Sequence, residues 1–127
     1  MYADGVYDVF HAGHSRQLMQ AKNMFPNVTL MAGCHSDKAT YEIKGQTVCT
    51  EEERYEAVRH CRYVDILIPD VPFFYSLEFY NKYKIDFIAH DDMPYNMGGA
   101  EGIILSNQPA INRLDKRVVE IYTVLLT

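Results

Sequence analysis

VTLMAGC, residues 28–34, is the stretch on which the fold turns. It is an almost continuous apolar run closing on Gly33-Cys34, which is how a strand covered on both faces reads. Parallel sheets are built from such strands, and each parallel step needs a crossover connection, usually a helix. The neighbouring sequence supplies both elements. Residues 2–6 read as a short strand, residues 64–68 as an apolar strand stopped by Pro69, and residues 85–89 as another apolar run. Residues 13–25 carry Leu18, Ala21, Met24 and Phe25 at helical spacing before Pro26. Thr50-Glu51-Glu52-Glu53 is a capping box, with Thr50 and Glu53 each placed to bond the other's backbone N–H, and opens a helix running to about His60. Residues 76–83 form a weaker helical pattern. Residues 109–125, with Ile111, Leu114, Val118, Ile121, Tyr122 and Leu125, read as an amphipathic helix with Pro109 near its first turn. The expectation is one α/β domain over residues 1–127, a parallel sheet with helices on both faces. Ligands then belong outside the carboxyl ends of the strands, a rim that this rule gives to His11, His14, His35 or its neighbours, and His90-Asp91-Asp92.

Composition narrows the function classes. The net charge of −5 disfavours a general nucleic-acid binder, which needs clustered cations, but leaves room for a local pocket that takes a small anion. No run approaches the roughly 20 apolar residues of a membrane span, and no leader pattern heads the sequence. The three cysteines, Cys34, Cys49 and Cys61, are odd in number and form no CxxC pair. That argues against a disulfide framework or zinc knuckle and favours a reducing, cytoplasmic setting. The sequon Asn27-Val28-Thr29 leads into the buried strand and is discounted.

Chemistry concentrates in YADGVYDVFHAGH, residues 2–14. Gly5 allows a tight path after the first strand, and Gly13 begins a helix whose free N–H groups favour anions. His11 and His14 are three apart and can face one ligand there. Three readings stay open on these residues alone: a cap plus a packed ring, a zinc site with Asp8 as third ligand, or a phosphate clamp. Lys44 read alone is a solvated loop lysine. Arg62 read alone is a surface residue or half of an ion pair. Phe73, Phe74 and Tyr75 read as core or interface aromatics, and Asp91-Asp92 as a helix cap or a metal pair.

The HxGH segment resembles the signature of the nucleotidylyltransferases. Lys44-Gly45 in YEIKGQTV, Glu53-Arg54, HCRYVD at residues 60–65 and IDFIAHDDMPY at residues 85–95 are similar, in order and spacing, to the CTP:phosphocholine cytidylyltransferase catalytic domain. The resemblance covers about three-quarters of the chain. It implies a Rossmann-like fold and transfer of CMP from CTP to phosphocholine, giving CDP-choline and pyrophosphate, with Mg²⁺ arriving with CTP rather than on a fixed protein site. Catalysis then falls to His11, His14 and Lys44. Nucleotide binding falls to Gly5, Val6, Tyr7, Arg62, His90, Asp91 and Gly102. A choline cage is implied at Asp8, Phe73, Asp92 and Tyr95, with Phe73 standing where the family usually has Trp. It also implies a homodimer, and a longer parent protein able to bind lipid. HDD rather than an HGND-like sequence favours choline over phosphoethanolamine.

One family segment departs. Against RTEGIST this chain has GGAEGIIL at residues 98–105, with Gly99 and Ala100 for Arg and Thr, and Ile104 and Leu105 for Ser and Thr. Two alternatives therefore stand beside the choline enzyme: a phosphoethanolamine-type relative, and a catalytically weak nucleotide- or choline-binding module.

Overall fold

The structure, a computed structural model, describes residues 1–91 and 119–123. In chain order the elements are β1 (Tyr2–Gly5), α1 (Ala12–Lys22), β2 (Met31–Cys34), α2 (Asp37–Lys44), α3 (Glu51–Arg59), β3 (Ile66–Pro69), α4 (Leu77–Lys82), β4 (Phe87–Asp91) and β5 (Val119–Thr123). The strands form one sheet in the order β3-β2-β1-β4-β5. Every pairing is parallel, with Ala3 opposite Ala32, Ala32 opposite Leu67 and Ile88 opposite Glu120.

The alternation of side chains along these strands builds two cores. Ala3, Ala32 and Ala89 turn to one face, where they meet Leu18 and Ala21 of α1 and Val58 of α3. Tyr2, Ile68 and Ile88 turn to the other and meet Tyr80 of α4. Small residues on the first face let α1 and α3 approach closely. Leu18 and Val58 are fully buried there, each contributing about 1.5–3 kcal/mol by removal from water.

The α3 cap forms as read: Thr50 Oγ1 accepts from the Glu53 N–H at 3.3 Å, and the Thr50 N–H donates to Glu53 Oε2 at 2.8 Å. Ser36 and Ser76 cap α2 and α4 in the simpler way. Two expectations are corrected. The segment carrying Lys44, read as loop, is the eight-residue helix α2, too short to show a clear helical period. The helix expected over residues 109–125 does not hold where that segment is described, because residues 119–123 are strand β5. Val119, Ile121 and Thr123 are β-branched and stiff at χ1, so pairing with β4 overrides the helical spacing. The rest of that segment lies outside the described residues.

Gly33 shows how tightly the second core is made. A Cβ built there would stand 2.1 Å from the Tyr2 hydroxyl oxygen and 2.8 Å from its Cζ. The Tyr2 ring is fully buried and edge-on to both Tyr75 and Phe79, so it has nowhere to retreat. Gly33→Ala is expected to cost about 3 kcal/mol through overpacking and a lost buried hydrogen bond. Thermal denaturation should show a midpoint about 10 °C lower; an unchanged midpoint would mean that this contact is loose.

Candidate active site

β1 ends at Gly5, and the chain reaches α1 through a strained loop. Tyr7 and Val9 both sit in the left-handed region, at φ 55° and 46°, a conformation that costs non-glycine residues about 1–3 kcal/mol each. Two contacts hold it. The Tyr7 ring is buried against Phe10 and edge-on to His14, at 6.2 and 5.7 Å between centroids. The Asp8 carboxylate accepts from the N–H groups of Val9, Val48 and Cys49 at 2.8–3.1 Å. Those bonds, chiefly from Val48 and Cys49, hold its carboxyl below the usual carboxylate range.

The loop delivers His11 and His14 as the two halves of a capping box on α1. His11 Nδ1 accepts from the Gly13 N–H at 2.9 Å, and His14 Nδ1 accepts from the His11 N–H at 3.2 Å. With each Nδ1 lone pair engaged by a backbone donor, the neutral ring carries its proton on Nε2. The rings lie 4.1 Å apart between centroids. The result is a pair of N–H donors at a helix start that already favours anions. The glycine between them is a packing requirement, since a Cβ on Gly13 would stand 2.6 Å from His11 Cε1.

Burial, and then the nearby His11, lower the pKa of His14 below its ordinary 6.5. The unfolded chain therefore takes up a proton that the folded chain resists. This contribution to stability is complete above pH 6.5 and is lost as pH falls from there through the lower folded value. Urea titrations between about pH 7.5 and 5.5 should show falling stability, and His14→Gln should flatten that slope. An equal slope in the variant would remove His14 as its source.

Arg54 of α3 ties the strand ends together. Its side chain is wholly buried. Nη1 donates to the Val6 carbonyl at 2.7 Å and the His35 carbonyl at 2.8 Å, and Nη2 to Asp37 Oδ1 at 2.8 Å. One guanidinium thus binds the exits of β1 and β2 and the start of α2. Cys34 beside it is no nucleophile: burial pushes its thiol up to about 12.

A second polar cluster lies where β1 and β2 emerge. The Tyr2 hydroxyl donates to the Tyr75 hydroxyl at 2.9 Å, and Tyr75 donates to Asp4 Oδ2 at 2.8 Å. His35 Nε2 faces the same oxygen at 3.2 Å, and its Nδ1 faces the Val71 carbonyl at 2.9 Å. The His35 ring lies flat on Phe73, with centroids 3.7 Å apart and planes 8° from parallel. Lys44 Nζ, from the end of α2, is 5.9 Å from the centre of the Phe73 ring.

The cytidylyltransferase-like family model matches residues 2–121. The chain belongs to the cytidylyltransferase-like family. It is 52% identical over 103 residues to choline-phosphate cytidylyltransferase A of Rattus norvegicus, covering 81% of this chain and 28% of that protein. To choline-phosphate cytidylyltransferase of Saccharomyces cerevisiae it is 50% identical over 103 residues, covering 81% and 24%. To a probable ethanolamine-phosphate cytidylyltransferase of Encephalitozoon cuniculi it is 35% identical over 124 residues, covering 97% and 38%. The chain therefore spans about a quarter to two-fifths of these relatives. The solved structure of a lipopolysaccharide core biosynthesis protein from Thermoplasma volcanium shares the fold, with a TM-score of 0.70 at 21% identity, covering 94% of this chain and 93% of that one.

Within this cytidylyltransferase-like domain, the residues expected to act on ligand are not all gathered. Gly5 ends β1, Val6, Tyr7, Asp8 and His11 lie in the loop after it, and His14 is in the first turn of α1; Lys44 lies near Phe73, whose ring stacks on His35, the neighbour of Asp4. His90 and Asp91 end β4, which lies next to β1, so their backbone is at the same rim. Arg62 precedes β3, at the opposite rim of a parallel sheet, where it lies 5.6 Å over Tyr63. Asp92, Tyr95, Gly102 and the 98–105 segment are outside the described residues. Asp4, Arg54 and Tyr75 carry no functional role in the sequence reading, and His35 carries only a place on the ligand rim. Arg54 had a signal in its position one after the capping box; Asp4 and His35 had only their places at strand ends, and Tyr75 only its aromatic neighbours.

Proposed function

We propose that this domain transfers CMP from CTP to phosphocholine, releasing pyrophosphate. The observation that carries it is the histidine capping box, whose two Nε2–H groups form a rigid donor pair for phosphate oxygens. The phosphocholine oxygen attacks the α-phosphorus in line, and charge builds on the phosphoryl oxygens as the pyrophosphate leaves. His11 and His14 donate to those oxygens, and Lys44 adds a positive charge from the end of α2. Because each Nδ1 is held by a backbone donor, the rings need no reorientation as charge develops, so positioning and electrostatics carry the rate. Gly5, Val6 and Tyr7 shape the wall for the nucleotide, and the family resemblance assigns Gly102, His90 and Asp91 to the same ligand. Mg²⁺ enters as part of the nucleotide substrate.

Choline has no hydrogen-bonding group at its ammonium and is recognised by aromatic faces and carboxylates. Phe73 supplies the face and Asp4 the carboxylate nearest to it through His35. Asp8 braces the segment running on from Lys44 and adds negative charge, and Asp92 and Tyr95 complete the cage. The higher identity to choline-phosphate than to ethanolamine-phosphate cytidylyltransferases supports choline as the substrate.

The departures at residues 98–105 favour a second reading, a domain that binds nucleotide and choline but turns over slowly. Incubation with CTP, Mg²⁺ and phosphocholine, following pyrophosphate and CDP-choline, separates the two. Turnover supports the enzyme, and ligand binding by calorimetry without turnover supports the module. Phosphoethanolamine as the preferred acceptor would replace the choline assignment.

We also propose a homodimer in a reducing cytoplasm. β3 is one of the two edge strands of the sheet and leaves Ile66 exposed near Arg62 and Asp65 in the chain, an edge suited to a second copy. The three cysteines are free thiols. No helix among the described residues is long and apolar enough to cross a membrane.

A further inference from the structure

We infer that Tyr75 is a positioning residue that aims the Asp4 carboxylate at the ammonium of a cationic acceptor. The inference rests on the reading that this ammonium sits against Phe73 and Asp4. Phe73, Phe74 and Tyr75 follow one another between β3 and α4. Phe74 is turned out to solvent, 64% exposed. Its two neighbours converge on one carboxylate. Phe73 does so through the His35 ring stacked on it, and Tyr75 directly through its hydroxyl.

That hydroxyl is fixed from both sides. Tyr2 and Asp4 are two apart on β1 and share a face of the sheet. The Tyr2 hydroxyl donates to the Tyr75 oxygen at 2.9 Å, and Tyr75 donates in turn to Asp4 Oδ2 at 2.8 Å. Tyr2 is fully buried. The Tyr75 ring is edge-on to it, with centroids 5.5 Å apart, and packs on Phe79 and Tyr80 of α4 at 4.9 and 5.8 Å. Burial raises the pKa of both phenols, which keeps them donors. A ring locked this way holds its acceptor in one place.

Asp4 does not need this bond to be solvated. Its side chain keeps 24% of its surface in contact with solvent, so water could serve it. The bond instead sets direction. Tyr75 and His35 both meet Oδ2, which leaves Oδ1 without a hydrogen-bond partner among the described residues. One oxygen is pinned, and the other is left to face a ligand. A quaternary ammonium has no N–H with which to draw a mobile carboxylate toward itself, so its counter-charge has to be set in advance.

The test compares phosphocholine with its uncharged carbon isostere, 3,3-dimethylbutyl phosphate, in wild type and in Tyr75→Phe. Both ligands carry the same phosphate, so the ratio of their dissociation constants isolates the ammonium. Tyr75→Phe keeps the ring and removes the hydroxyl. Calorimetry should show the preference for phosphocholine falling about tenfold while the isostere binds as before. In turnover, KM for phosphocholine should rise while kcat and KM for CTP stay within about threefold. The single variant orphans the buried Tyr2 hydroxyl, so the pair Tyr2→Phe with Tyr75→Phe, which removes both partners, should show the same loss. In an Asp4→Asn background, Tyr75→Phe should leave the ratio where Asp4→Asn puts it.

An unchanged ratio in the Tyr75 variants overturns the inference and leaves the cytidylyltransferase reading intact. Equal weakening of the two ligands, or failure of both variants to fold, makes Tyr75 structural and overturns it too. A further fall of the ratio in the Asp4→Asn background would show that Tyr75 does not act through Asp4, and also overturns it. Equal affinity of the wild type for the two ligands, or no phosphocholine binding and no turnover, overturns the choline reading together with the inference.

Discussion

Gly13→Ala is expected to cut CMP transfer about a hundredfold while leaving the fold standing. The added Cβ would meet His11 Cε1 at 2.6 Å and Nδ1 at 2.9 Å. The His11 side chain is exposed, so it can swing aside, which spares stability and loses the geometry. The ring gives up its bond from the Gly13 N–H, and its Nε2 donor no longer lies beside that of His14. Two stability terms nearly offset each other: a lost cap costs about 1 kcal/mol, and alanine for glycine inside a helix returns about 0.5–1 kcal/mol. The measurement is kcat with CTP and phosphocholine beside a thermal midpoint. Turnover within threefold of wild type would show that the His11 position is not used in the reaction. A large drop in midpoint would show that the ring is structural.

Arg54→Ala should produce the largest loss of stability, on the order of 4 kcal/mol. Truncation leaves a cavity, strips the buried His35 carbonyl of this donor, and leaves the part-buried Val6 carbonyl only the Cys34 thiol at 3.4 Å. Asp37 keeps substantial solvent contact and so contributes little of the penalty. Arg54→Lys retains a charge but not the fork that reaches three partners, so it should recover only part of the loss. Urea unfolding at fixed pH reads both variants, and a change below about 1 kcal/mol for Arg54→Ala would mean the strand ends are held by other contacts. The same variant should weaken CTP binding, because the Val6 carbonyl and the loop leading to His11 share that anchor.

Much of this arrangement was legible before any coordinates. The run at residues 28–34 gave a parallel sheet because a strand covered on both faces has a period-free apolar signature. Thr50 and Glu53 gave the start of α3 because capping is local chemistry. What stayed hidden is non-local. Val119–Thr123 shows helical spacing in sequence and becomes a strand only because β4 offers it an edge. Asp4 is an ordinary polar residue, and His35 only a residue of the ligand rim, until the register Asp4 opposite Gly33 brings the two strand exits together. HxGH announced its position at a helix start. The exchange of caps between its rings, and with it the location of their protons, depends on backbone geometry.

The Arg54 anchor also bears on how the molecule opens. Loops that bind ligand usually belong to the weakest cooperative unit of a domain and detach while the core remains closed. Here the exits of β1 and β2 are fastened from inside by a side chain of α3, the helix that also supplies Val58 to the core. The loop after β1 is tied to α3 through the Val6 carbonyl, so its amides should share the opening energy of the core rather than that of a surface segment. Breathing at the binding rim and global unfolding are one event in this domain.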